Sequence, residues 1–92
     1  MYQPTLSLTV SNAKIAADAG LRAIESGQTE LNLSQLTVVD SAAVATLLCW
    51  QRNAQYRGVK LVFTHLPPNL IALTTLYGVS KLLNIGSETA HY

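Results

Sequence analysis

Apolar and hydroxyl side chains alternate along Thr5-Leu6-Ser7-Leu8-Thr9-Val10, the period-two signature of a strand with one buried face. Ser11 or Asn12 can cap the segment that follows, in which Ile15, Ala16, Ala19, Ala23 and Ile24 recur at helical spacing until Gly27 supplies a stop. Alternation resumes at Thr29-Glu30-Leu31-Asn32-Leu33, and Leu36, Val38 and Val39 carry the apolar character to Asp40, so a second strand ends in this region. From Ser41 the pattern becomes that of a helix of about sixteen residues, four to five turns, with Val44, Leu47, Leu48, Gln51 and Ala54 on one stripe and Gly58 beyond its end. Val59-Lys60-Leu61-Val62-Phe63 reads as a buried strand. Pro67-Pro68 then opens a third helix, with Leu70, Leu73, Leu76 and Tyr77 on one face before Gly78. The last apolar segment, Val79 to Ile85, fits either a helix or an edge strand. Strand and helix alternate three times with short connections, which predicts an α/β fold. We expect a small mixed or mostly parallel sheet with helices mainly on one face, in one domain spanning residues 1–92.

Composition narrows the partners. A hydrophobic fraction of 49% with 12% charged residues belongs to a chain that folds. Six Lys and Arg against five Asp and Glu leave a net charge of +1, too little for nucleic-acid binding or a polybasic membrane anchor. The longest apolar neighbourhood, Ala42 to Trp50, is interrupted by Thr46, and the start lacks the basic and apolar blocks of a signal peptide. Direct membrane insertion is therefore not expected, and a cytoplasmic location is. The lone Cys49 forms no internal disulfide.

Catalytic patterns fail one by one. No two of the five glycines lie within three residues of each other, so the chain has no Gly-rich phosphate loop. His65 and His91 are the only imidazoles, and no carboxylate lies within twenty residues of His65 to orient it. We read His65 as a surface or loop residue and Cys49 as a small side chain in mid-helix. Asp18, Glu25, Glu30, Asp40 and Glu88 are scattered over separate elements, with no acid/base pair among them. No metal site and no cofactor are implied. A binding module fits better than an enzyme.

One polar junction stands between strongly apolar segments: Val38-Val39-Asp40-Ser41-Ala42-Ala43-Val44. Asp40 or Ser41 can accept a hydrogen bond from the free amides that open the second helix, and an N-cap alone accounts for either residue. The functional alternative makes the Ser41 hydroxyl, at the positive end of a helix, a contact or phosphorylation point.

The stretch Leu31-Asn32-Leu33-Ser34-Gln35-Leu36-Thr37-Val38-Val39-Asp40-Ser41-Ala42-Ala43-Val44-Ala45-Thr46-Leu47-Leu48 resembles the central segment of STAS domains, the family of bacterial anti-sigma factor antagonists and sulfate-transporter tails. Their pattern is an Asp/Asn-Leu-Ser strand, then Asp-Ser/Thr-Ser/Gly-Gly opening a helix. The likeness continues through Arg57-Gly58-Val59-Lys60-Leu61-Val62-Phe63 and through the helix ending Leu76-Tyr77-Gly78-Val79. Ala43 replaces the family's glycine, which leaves less room for close backbone approach. The short length and that ending look most like MlaB-like members, small STAS subunits of an ABC transporter moving phospholipids between the inner and outer membranes of Gram-negative bacteria. The resemblance implies a non-catalytic subunit that binds an MlaF-like ATPase and, through it, a permease, peripheral to the inner membrane. In such proteins the junction hydroxyl, here Ser41, faces the ATPase. The alternative within the family is an anti-sigma factor antagonist switched by phosphorylation of Ser41.

If Ser41 opens the helix, Ala45, Cys49 and Arg52 follow down the same side at three- to four-residue spacing, away from Leu47 and Ala54. Small residues permit close approach, and Arg52 offers a fork of donors at the rim. Asp40, Ser41, Ala42, Ala45, Cys49 and Arg52 are the candidate partner-binding residues, although core packing explains Ala45 and Cys49 equally well. Trp50 and Tyr56 are either interface anchors or buried, and Tyr77 is a candidate for the same surface.

Overall fold

The computed structural model describes residues 2–4 and 6–86. Thr5, where the first strand is expected to begin, and Glu88 and His91, named above, lie outside the described residues. The chain runs β1 (Leu6–Leu8), α1 (Ala13–Glu25), β2 (Glu30–Asn32), β3 (Leu36–Val39), α2 (Ser41–Tyr56), β4 (Val62–Thr64) and α3 (Pro68–Leu76), then one 3-10 turn at Ser80–Leu82. The expected second strand is two strands. Asn32 Oδ1 accepts the Ser34 amide at 2.9 Å, a side-chain-closed turn that ends β2. After it, β3 changes partner.

The strands form two parallel pairs, β1 with β3 and β2 with β4. The expected parallel pairing is therefore present, divided between two short ladders. The Val79 to Ile85 segment is neither of the alternatives alone, because after the 3-10 turn Ile85 bridges Phe63 in parallel.

All three helices finish the same way. Gln28 donates to Ala23 O, Val59 to Ala54 O and Val79 to Thr74 O, at 3.0, 2.8 and 3.0 Å, the six-to-one bond that closes a helix on a glycine. The second helix begins and ends where the polar junction and Gly58 place it.

Helix α2 packs against both α1 and α3. Leu47, Trp50 and Ala54 of α2 join Leu8, Leu31, Leu33, Leu36, Leu61, Phe63 and Leu70 in the core. Three apolar faces depart from the expected pattern. On the first strand only Leu8 is buried, while Leu6 and Val10 are exposed. Ile15 is exposed and Gly20 takes the buried position on α1. On α3, Leu70 and Thr74 are buried whereas Leu76 and Tyr77 face outward. Apolar residues are so dense on this nine-residue helix that periodicity does not single out one face.

Gly20 is buried because Trp50 lies on it. The indole Nε1 donates to the carbonyl of Ala17 at 3.1 Å, and the Tyr2 ring meets the indole edge-on with centroids 6.1 Å apart. A Cβ on residue 20 would come within 2.6 Å of Trp50 Cζ2 and closer still to Nε1 and Cε2. Overpacking of this kind costs about 1–3 kcal/mol, while replacing a mid-helix glycine by alanine returns up to about 1 kcal/mol of propensity. Gly20→Ala is therefore expected to destabilise the fold by about 1–2 kcal/mol. In a thermal melt the midpoint should fall by about 5–15 °C, and an unchanged midpoint would contradict the contact.

Burial raises the pKa of the Tyr2 phenol above its ordinary value. The folded chain then holds this proton more tightly than the unfolded chain. Stability linked to Tyr2 is complete below about pH 10 and is lost as pH rises toward the folded value. Urea midpoints at about pH 9 and about pH 11 should therefore show a shallower alkaline decline in Tyr2→Phe than in the unaltered protein.

Candidate functional site

The junction at the start of α2 is assembled by Asp40. Its backbone is extended, and its carboxylate Oδ1 accepts the Ala42 amide at 2.8 Å. Its Oδ2 accepts the amide of Val10 at 3.2 Å, tying the turn after β1 to the first turn of α2. Of the two candidate caps, Asp40 is the one used. Both of its oxygens are engaged inside the chain, so it shapes the junction and offers little to a partner.

Ser41, the first residue of α2, is exposed, and among the described residues its hydroxyl has no hydrogen-bond partner. It stands at the amino end of a sixteen-residue helix, where unpaired amides and the helix dipole favour acceptors and negative charge. Ala42 is half-buried, and Ala43 is fully buried. The methyl of Ala43 therefore points inward and leaves the approach to Ser41 open, contrary to the loss of room expected from the missing glycine.

Down the outer side of α2, Ala45, Cys49 and Arg52 are all exposed, which decides against core packing for the first two. They divide into two neighbourhoods. Ser41 and Ala45, with Val44, Leu48, Tyr77 and Val79, line an open groove of about 270 Å³ between α2 and the end of α3. Cys49 and Arg52, with Leu21, Asn53 and Tyr56, line another of about 310 Å³ between α1 and α2. The side of α2 carrying Ser41, Ala45 and Arg52 is thus a ridge of small and polar residues with an apolar trough on each flank.

The far wall of the first groove exists because α3 stops abruptly. Gly78 adopts φ +68°, a left-handed conformation open to glycine at little cost. That turn sets Tyr77 and Val79 opposite the start of α2. Tyr77 thereby joins the surface containing Ser41. Val44, Leu48 and Val79 were not among the candidate residues, since the first two read as core stripe and half-burial of Leu48 leaves no mark in a periodicity. Tyr56 is 92% exposed while Trp50 is wholly enclosed, so only the former is available as an anchor.

His65 is exposed and sits at φ +56° just past β4. Among the described residues, no group of three or more His, Cys, Asp or Glu is placed to hold a metal ion. No helix among them is long and apolar enough to cross a membrane. The surface offers shape, the hydroxyls of Ser41, Tyr56 and Tyr77 and the guanidinium of Arg52, a set suited to docking.

Removing the carboxylate at position 40 opens both ends of the junction. Asp40→Ala is expected to cost about 1–2 kcal/mol, the usual range for a lost side-chain cap. Urea denaturation followed by circular dichroism measures this directly.

A family model described as "Mlab, STAS domain" matches residues 7–84. None of the curated proteins matches the chain. The match spans most of the 92 residues and takes in every strand but the first residue of β1, all three helices and the Asp40–Ser41 junction, and on that ground the chain belongs to the STAS domain family, with an MlaB-type label.

Proposed function

We propose that this STAS domain is the non-catalytic subunit of an ABC transporter that moves phospholipids between the inner and outer membranes. It docks on an MlaF-like ATPase through the ridge of α2 and the groove beside it, and supports that ATPase in its complex with a permease. The protein would then be cytoplasmic and held at the inner membrane through the complex. The observation that carries the reading is the exposed hydroxyl of Ser41 above Ala45, beside a groove walled by Leu48 and Tyr77, in a chain matched by an MlaB-type model. Small side chains along the ridge admit a partner's backbone closely, and exposed Leu76, Tyr77 and Leu82 supply the apolar surface that anchors such contacts. Asp40, Ala42, Cys49 and Arg52 frame this face.

The same exposed hydroxyl supports a second reading, an anti-sigma factor antagonist in which a kinase phosphorylates Ser41. Phosphate at a helix start gains from the dipole and adds up to about two negative charges to the surface.

Co-purification with the MlaF-like ATPase distinguishes them. Ser41→Glu and Ala45→Arg are each expected to abolish the complex while leaving the thermal melt within about 0.5 kcal/mol of the unaltered protein, as for exposed substitutions in general. An intact complex in both variants removes the proposed surface. Intact-mass measurement after incubation with ATP and a candidate kinase tests the second reading, which requires one added phosphate at Ser41.

A further inference from the structure

Gln51 is anomalous on α2. It occupies the apolar stripe with Leu47 and Ala54 and is only 6% exposed. Burial of an amide is costly without hydrogen bonds, and its oxygen has one: Gln51 Oε1 accepts the backbone amide of Asn84 at 2.8 Å. Asn84 in turn donates its side-chain amide to Leu61 O at 3.1 Å, and its carbonyl accepts from Phe63 N at 2.9 Å. Gly86 N donates to Phe63 O at 2.7 Å. Leu83 is buried beside this set. Residues 79–86 are thus a strap. It leaves Gly78, passes along α2 through its 3-10 turn and is fastened to the edge of β4.

The position of the strap matters for the docking face. Its first residue, Val79, walls the groove opposite Ser41 and Ala45. Farther along, Leu82 faces Leu48 and Arg52 across a continuation of about 200 Å³. Among the described residues, the Gln51 bond is the only side-chain hydrogen bond from α2 to this strap. Further bonds tie the strap to Leu61, to Phe63 of β4 and to Thr74 of α3.

We infer that Gln51 is a positioning residue for partner binding: it latches the strap of residues 79–86 against α2 and so sets the width of the groove that receives the partner. This rests on the docking reading above. The partner side of the contact is an apolar protein segment, because Val44, Leu48, Tyr77 and Val79 present no charge to it. A preformed groove spares the ordering of its wall on binding.

The experiment uses the full chain and the purified MlaF-like ATPase. Gln51→Met keeps the volume and removes the acceptor, whereas Gln51→Glu keeps an acceptor oxygen at the same reach. Hydrogen exchange is read at Asn84, Phe63 and Gly86, with Leu47 as the core control. In Gln51→Met the two strap amides, Asn84 and Gly86, and the Phe63 amide bonded to the strap are expected to exchange about tenfold faster with Leu47 unchanged, and affinity for the ATPase to weaken about tenfold. Gln51→Glu should restore most of both. Unchanged strap exchange in Gln51→Met, or fast exchange with undiminished affinity, overturns the inference. If affinity is lost only in Ala45→Arg, the strap role falls and the docking surface stands. If Ala45→Arg binds normally, the docking reading fails and the strap role fails with it. Equal acceleration at Leu47 marks general unfolding and also overturns the latch.

Discussion

The seating of the Trp50 indole on Gly20 is the contact on which the arrangement of helices depends. A residue with any side chain at position 20 would hold α1 away from the ring, and the Nε1 bond to Ala17 O exists only when the two helices lie this close. Indole is large, so its enclosure buries much of the apolar area available to α2. With Leu47 and Ala54, the ring commits one side of α2 inward, and helical geometry then commits Ser41, Ala45 and Arg52 outward. The proposed docking ridge is the geometric complement of the tryptophan.

The chain separates the groups that hold this face from the groups that form it. Asp40 spends both carboxylate oxygens on backbone amides, and Gln51 spends its carbonyl on Asn84. Both are polar residues turned inward at the margins of the candidate surface. The exposed ion pair of Arg57 with Glu25, 2.9 Å long, also links α2 to α1, but exposure keeps such a pair weak. Order at this surface comes from buried packing and from hydrogen bonds that side chains make to the backbone.

The parts of this architecture that were legible in the sequence are those fixed by local chemistry. An Asp-Ser pair before a run of helix formers marks a helix start, and Gly58 marks its end, so α2 lies where the pattern puts it. Long-range choices were not legible. Strands of three or four residues are too short for an alternation to reveal that Leu31 and Leu36 belong to different ladders. The division depends on the Asn32 turn and on which partner each edge meets. Trp50 was open between surface and core because its counterpart, a glycine thirty positions earlier, carries no side chain to announce the contact. The outward ridge was readable from Ser41 by helical spacing, whereas its division into two grooves required the positions of Leu21 and Tyr77 on neighbouring helices.

That division has a consequence for how such a surface can change without loss of the fold. Ser41, Ala45, Cys49 and Arg52 are exposed, and exposed substitutions away from caps and buried networks alter stability little. Trp50, Gly20, Asp40 and Gln51 each answer to a partner inside the chain, so their freedom is set by folding. A surface built this way can alter the chemistry of its ridge while keeping the ridge in place, because the groups that aim it are not the groups it exposes. The groove opposite Ser41 is the exception, since Val79 belongs both to its wall and to the turn whose amide closes α3 at 3.0 Å. Its backbone serves the helix end and its side chain faces the groove. Selection on the side chain is thereby free of the hydrogen bond, whereas Gly78 beside it remains tied to the left-handed turn that brings the wall into position.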